Sequence, residues 1–482
     1  MIDVAVIGAG TVGLTLAGRL AQHGVAVEVF EAATERQRIG SRAICMQRET
    51  LEIWARLDVG DRVAQRGVQW RVGRTYYRGR ELFSVALPSH DEHFPPFVNI
   101  SQSEVEDLLE ARLREFDVPI HRGHRLIDLA QDADGVSPTF ETDAGEVTHR
   151  SGYLVGADGA HSSVRHAAGI GFPGYTFDDR FLIADIRAEL PMTSERHFHF
   201  DPPWNPGRQV LIHPQPDGVW RIDWQVPPET DVDAERTNGG LDRRIRAVIG
   251  GATPYELAWM TGYRFSQRVA DSLRIGRVLL AGDAAHVMSP FGARGLNSGI
   301  ADAENLAWKL AAVVHGEPDG LLDTYEVERR RAAIENLRAT DATMRFMAPH
   351  GPWRSAWRNL VLRLAPRSAW FRARVNSGRL AEPASYAGLS TVAPGPADPS
   401  LPRHGEVAPD MPLSGGGRLR ERLGGRGFVV VASHPIEASV PVIVIGPGSV
   451  YGDDRAWLVR PDGYVADSRP LGERGSWPEP AG

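Results

Sequence analysis

The stretch Val4-Ala5-Val6-Ile7-Gly8-Ala9-Gly10-Thr11-Val12-Gly13 decides how the chain is read, because an apolar strand runs straight into the pattern G-x-G-x-x-G. On this spacing Gly8 permits a tight turn, Gly10 lets the backbone approach a pyrophosphate, and Gly13 lets the next helix pack closely on the strand. The helix that opens at Thr11 and Val12 then turns its amide-bearing end to the phosphates. Leu14, Ala17, Leu20 and Ala21 fall on one face of it. The next apolar run ends at Glu31 and Ala32, about 20 residues beyond the glycines, where an acid accepts hydrogen bonds from a ribose. Without a nucleotide, the same residues would form a plain βα turn.

A chain of 482 residues holds two or three domains, and 42% hydrophobic against 24% charged residues is an ordinary globular balance. The net charge of −7, with no dense basic block, argues against a nucleic-acid partner. Glycines, Arg19 and His23 interrupt the first apolar stretch, so neither a signal peptide nor a membrane span is expected, and the chain reads as cytoplasmic. Cys45, the single cysteine, leaves no intrachain disulfide or cysteine-rich metal site; no metal is expected, and Cys45 reads as packing. The single lysine, Lys309, falls on the polar side of a helix that turns Ile300, Ala303, Ala307, Leu310 and Val314 inward, and reads as a solvated charge.

The nucleotide-binding pattern returns in three separated segments, 1–73, 99–183 and 269–345, which predicts one discontinuous domain. The second carries a helix with Ser103 and Glu106 at capping-box spacing, and the third a buried-looking strand, Val278 to Ala281. Residues 74–98 and 184–268 read as an inserted β-rich substrate domain. Within it Trp220, Ile222, Trp224 and Val226 alternate with Arg221, Asp223 and Gln225 along a half-buried strand. The alternation leaves open which face lines a cavity. Residues 346–402 read as a helical bridge and linker. Residues 403–482 read as a small αβ unit with strands Phe428 to Ala432 and Val440 to Ile445 and a hairpin over Trp457 to Ala466. The fold class is therefore α/β, a Rossmann-like domain with an inserted sheet.

Four further motifs stand beside the glycine loop. Gly40-Ser41-Arg42-Ala43 sets Arg42 within reach of a pyrophosphate or adenine, or else in solvent. Gln102, just before a helix, carries an amide suited to a phosphate or a cofactor edge. The stretch Gly156-Ala157-Asp158-Gly159-Ala160-His161-Ser162-Ser163-Val164-Arg165 offers an acid and an arginine at a tight turn. Gly282-Asp283-Ala284-Ala285-His286 leads to Pro290-Phe291-Gly292-Ala293-Arg294-Gly295-Leu296-Asn297, a loop that opens a helix from about Ser298.

Together and in this order, these residues resemble the group A flavoprotein monooxygenases, the family of 4-hydroxybenzoate 3-hydroxylase and 3-(3-hydroxyphenyl)propionate hydroxylase, over about residues 1 to 345. The resemblance implies an FAD-binding domain of the glutathione-reductase type. Asp158 falls in the motif that family uses for FAD and NAD(P)H, and Asp283 in the one that holds the ribityl chain. Pro290, Gly292, Gly295, Leu296 and Asn297 would then aim backbone amides at the flavin N1/C2 oxygen, where negative charge collects on reduction. The family often has Gly-Gln-Gly where this chain has Gly292-Ala293-Arg294-Gly295, so Arg294 either adds a charge near the site or points to solvent. Leu458 to Ala466 look like the thioredoxin-like C-terminal unit of the phenol and polyketide hydroxylase branch, without cysteines for thiol chemistry.

The implied reaction uses NAD(P)H and O2. Reduced FAD forms a C4a-hydroperoxide that passes an oxygen atom to an aromatic, phenolic or polyketide-like ring, and water must be kept out. Abundant arginine favours NADPH. Because the flavin performs the transfer, no catalytic base is assigned; Arg221, Asp223 and His286 are the candidates, with His286 read first as structural. His197, His199 and His213 read as packing or surface residues. An antibiotic-inactivating monooxygenase of the rifamycin or tetracycline type and a non-catalytic flavin carrier or scaffold are the alternatives. Oligomeric state stays open, with a homodimer among the options.

Overall fold

The computed structural model describes residues 2–36, 40, 43–87, 92–290, 292–347, 349, 351–375, 382–396, 398–413, 415–425, 427–471 and 477; Arg42 and Phe291 lie outside them. Strand β1 (Ile2–Ile7), helix α1 (Thr11–Gln22) and strand β2 (Val27–Glu31) form the expected βαβ start, with β1 and β2 parallel. Strand Ser151–Gly156 pairs parallel with the other side of β1 and also with Val278–Leu280, and Ile120–Arg122 pairs parallel with β2. All three separated segments thus meet in one nine-stranded sheet. Val4, Ala5, Val6, Leu154 and Leu279 have no exposure, as expected of parallel strands covered on both faces, and Phe30 of β2 stacks on Phe140 of the strand Val136–Thr142.

The second sheet has eight strands, in the order His286–Val287, Glu256–Val269, Gly174–Arg187, Val219–Val226, Gln209–Pro214, Arg196–Phe200, Val72–Tyr77 and Arg80–Ala86. Residues from the 74–98 segment therefore join the insert's layer. The boundary expected at 183 falls inside Gly174–Arg187, which is held as one strand by antiparallel neighbours on both sides. The Val219–Val226 strand is buried on both faces rather than one. Trp220, Ile222, Trp224 and Val226 pack with Leu182, Ala184 and Ile245 beneath the Gly240–Ile249 helix, while Arg221 and Asp223 turn to a cavity.

The C-terminal unit is a four-stranded sheet, ordered Val442–Val444, Val429–Ala432, Arg455–Val459, Val465–Pro470. Its first two strands are parallel, yet residues 433–441 join them without the helix that such a crossover usually contains. No helix among the described residues is long and apolar enough to cross a membrane.

This unit overturns the reading of Lys309. The lysine is buried and donates to Glu328 Oε2 at 2.8 Å, while Arg460, just past the strand Arg455–Val459 of the C-terminal unit, donates to both Glu328 oxygens at 2.7 and 2.8 Å. Asn305 adds a bond to Asp462 at 3.0 Å. The polar side of the Gly295–Val314 helix is covered by a distant part of the chain, which the helix's own periodicity cannot reveal. Burial pushes Lys309 down to about 8, against the pull of Glu328. Burial pushes the Glu328 carboxyl up, but Arg460 and Lys309 outweigh it and hold it well below the usual carboxylate range.

Replacing Glu328 by Ala strands two buried cations and should lower unfolding free energy by about 3–5 kcal/mol. Because the folded carboxyl is depressed, its contribution is present above the unfolded value of about 4.3 and fades as acid is added below it. Urea midpoints of wild type and Glu328→Ala should therefore differ most at neutral pH and converge on acidification.

Candidate functional site

The glycine turn separates into positions the protein itself requires and one it leaves open. Gly8 has φ +106°, and a Cβ there would lie 2.5 Å from the Ala157 carbonyl oxygen. A Cβ on Gly13 would lie 2.0 Å from the Gly8 carbonyl oxygen, so α1 sits directly on the turn. Gly10 differs: a Cβ would meet nothing nearer than Glu106 Oε1, at 3.9 Å, and the residue lines the cavity. Glu31 braces the turn, accepting from the Ala9 amide at 2.8 Å and the Ala33 amide at 2.9 Å around an exposed Ala32.

One cavity of about 900 Å³, at the upper end of the usual ligand-pocket range, runs from this turn to the second sheet. Its first half is lined by Gly10, Thr11, Val12, Gln102, Glu106, Gly159, Asp283, Pro290, Gly292 and Arg294 to Asn297. The capping box expected at Ser103 and Glu106 does not form: the helix runs Gln102–Glu115 with Ser101 before it. Glu106 turns inward, accepting from Gln102 Nε2 at 2.9 Å, and Thr11 Oγ1 lies 3.5 Å away.

Asp158 accepts from the Val164 amide at 3.1 Å through Oδ2, whereas its buried Oδ1 has no hydrogen-bond partner. Burial raises its pKa. Arg165 donates to Ala160 O at 3.0 Å and Ala284 O at 2.9 Å, tying this segment to the one containing Asp283. His286 is fully buried against Asp302 at 2.7 Å and is not among the residues that line the cavity. Asp302 also accepts from the Gly282 amide at 3.0 Å and from Arg329 Nε at 2.7 Å.

Downstream, Gly292 has φ +100° and Ala293 +53°. The helix opens at Gly295, three residues before the expected Ser298, with no acid in its first turn. Asn297 faces the Cys45–Gln47 strand, accepting from the Gln47 amide at 2.9 Å and Thr50 Oγ1 at 2.6 Å and donating to Cys45 O at 3.0 Å. Arg294 lines the cavity and donates to Asn336 rather than pointing to solvent.

The other half of the cavity is walled by Phe181, Ile183, Phe198, Phe200, Leu211, Tyr263, Phe265 and Met347. Arg221 is held bidentately by Asp185, at 2.8 and 2.7 Å. Asp223 keeps a buried Oδ1 without a hydrogen-bond partner; burial pushes its carboxyl up to about 7, with Arg221 opposing and Asp185 adding. Burial, reinforced by Arg196 and Arg221, pushes His213 down to about 3, and burial takes His199 to about 4 and also lowers His197. These three histidines are neutral near pH 7. Asp302 and Arg329 escape sequence reading, because only helical spacing marks them and their partners lie along the chain beyond any local pattern, while Glu106 is read there only as half of a capping box.

Residues 1–340 match a family model described as an FAD binding domain. The chain is 32% identical, over 96% of both chains, to a flavin-dependent monooxygenase of Mycobacteroides abscessus. It is 34% identical over 75% of its length to a 3-(3-hydroxy-phenyl)propionate/3-hydroxycinnamic acid hydroxylase of Comamonas testosteroni, and the match spans 61% of that relative. The structure of a ternary complex of aklavinone-11 hydroxylase with FAD and aklavinone matches with a TM-score of 0.79 at 27% identity, covering 97% of this chain and 95% of that one.

Because Asp223 stands near 7 when folded and about 3.9 when unfolded, the folded state binds the extra proton between those values, and stability falls as pH rises through them. Asp223→Asn should match wild type near pH 4 and exceed it by about 1–4 kcal/mol at pH 8, read from denaturation midpoints.

Proposed function

Starting from the chain's membership of the FAD binding domain family, as an FAD-dependent monooxygenase, we propose that it uses NADPH and O2 to hydroxylate an aromatic ring. The observation that carries this reading is the continuity of a glycine-lined cradle with an aromatic-walled chamber in one cavity. The open space at Gly10 suits a dinucleotide laid along the first half. There the Gly10 to Val12 backbone and Gln102 would meet the phosphates, Glu31 the ribose and Asp283 the ribityl chain. FAD bound in this way supplies the redox chemistry that activates O2 and delivers oxygen to the ring.

The chain's own residues orient and protect. The acid-free start of the Gly295–Val314 helix favours negative charge at the adjacent cofactor edge. Phe181, Phe198, Phe200 and Phe265 keep water from the reacting centre. Asp223, with a pKa near the working pH, is placed to take a phenolic proton on its carboxylate. The cavity-facing side of Val219–Val226 is the polar one, which favours a phenolic or carboxylated ring over a large flat polyketide.

A screen of phenols, aromatic acids and polyketides for ligand-stimulated NADPH oxidation, with product mass rising by one oxygen, tests the proposal. Protein that takes up no FAD, or consumes NADPH without regard to any such ligand, overturns it. Two glycine variants should part company. Gly10→Val keeps its melting behaviour as apoprotein but loses flavin absorbance after gel filtration. Gly13→Ala, with a methyl forced toward the Gly8 carbonyl, fails to fold.

A further inference from the structure

Arg196 opens the strand Arg196–Phe200 and lines the cavity together with Trp70, Cys45 and His213. Its register partner on the neighbouring strand is Gly73, and a Cβ there would come within 3.0 Å of the guanidinium. The glycine leaves the room in which the arginine lies. The guanidinium carbon stands 5.7 Å from the Trp70 ring centroid, and Trp70 stacks on Phe97 at 4.6 Å and 3°.

What this cation lacks is a counter-charge. Among the described residues it makes no hydrogen bond or ion pair, and its Nε is buried without a partner. Its neighbours offer no negative charge. Burial pushes the Cys45 thiol up to about 12, so it stays protonated, and His213 is neutral. The Asp185 carboxylate is already held by Arg221. A half-buried guanidinium whose Nε is sealed off and whose fork faces the cavity with nothing to balance it gains most from an anion that brings planar oxygens to that fork.

We propose that Arg196 receives a carboxylate carried by the aromatic substrate, with the ring against the Trp70–Phe97 stack. The proposal rests on the reading of this cavity as the substrate chamber of an FAD-dependent monooxygenase, and narrows its substrates to aromatic acids.

The test uses the FAD-loaded full-length protein and needs no turnover. Binding of 2-naphthoate and of its neutral isostere 2-naphthamide is followed by perturbation of the flavin absorbance and by thermal shift. Wild type should prefer the acid by about 10-fold or more, the scale of one charge-assisted pair. Arg196→Met should bring the ratio to about 1, and Arg196→Lys, which keeps the charge but not the fork, should retain part of it. FAD content and melting temperature report whether each variant is folded. Equal affinities in wild type, or an acid preference that survives in Arg196→Met, overturn the proposal; should Arg196→Met not fold, the wild-type ratio and Arg196→Lys decide. Acid preference without ligand-stimulated NADPH oxidation would uphold the subsite and sink the monooxygenase reading. Turnover of neutral phenols with no acid preference would do the reverse.

Discussion

Asp302 has no contact with solvent, and its two oxygens accept from the Gly282 amide, from His286 and from Arg329. Burial alone would keep such a carboxyl protonated; His286 and Arg329 reverse that and hold it down at about 2. Three stretches of chain are thereby fixed to one point: the turn after strand Val278–Leu280, the Gly295–Val314 helix and the Leu321–Met347 helix. Arg329 continues the connection, donating to the Tyr386 hydroxyl at 2.7 Å, and Tyr386 stacks at 4.4 Å on Tyr464, just before the strand Val465–Pro470 of the C-terminal unit. The loop at the cavity and the last domain therefore share one buried polar network, in which partial satisfaction would be worse than none.

The two halves of the cavity solve different problems. The cradle half has glycines with open space above them, at Gly10, Gly159 and Gly295, and a helix start with no acid in its first turn. The chamber half is built from side chains, with rings for walls and a few charged groups whose states are set by burial. There burial sets the states: it keeps His213 neutral, with Arg196 and Arg221 adding to the effect, and it raises the carboxyl of Asp223 toward neutrality.

The glycine loop was legible in the sequence because its demands are local: Gly8 and Gly13 answer to one another across a single turn. The assembly of three segments was legible too, since strands buried on both faces read as unbroken apolar runs. Other features were not. The alternation along Val219 to Val226 marked two faces but could not choose between them, because a helix-covered face and a cavity-lining face are both buried. Glu106 matched a capping pattern, yet it turns inward and pairs with Gln102 of its own helix, beside Thr11 of α1. Asp302, Lys309 and Arg196 owe their states to elements dozens to hundreds of residues away, which no local period encodes.

Lys309 also determines how the folded protein presents itself to its surroundings. With the chain's single ammonium side chain sealed between the Gly295–Val314 helix, Glu328 and the C-terminal unit, the permanently charged cationic side chains on the surface are all guanidinium groups. Acyl donors, aldehydes and conjugating enzymes that seek a lysine amine find none on the native exterior, and such an adduct on Lys309 would record an excursion in which the C-terminal sheet and the residues around it had come away.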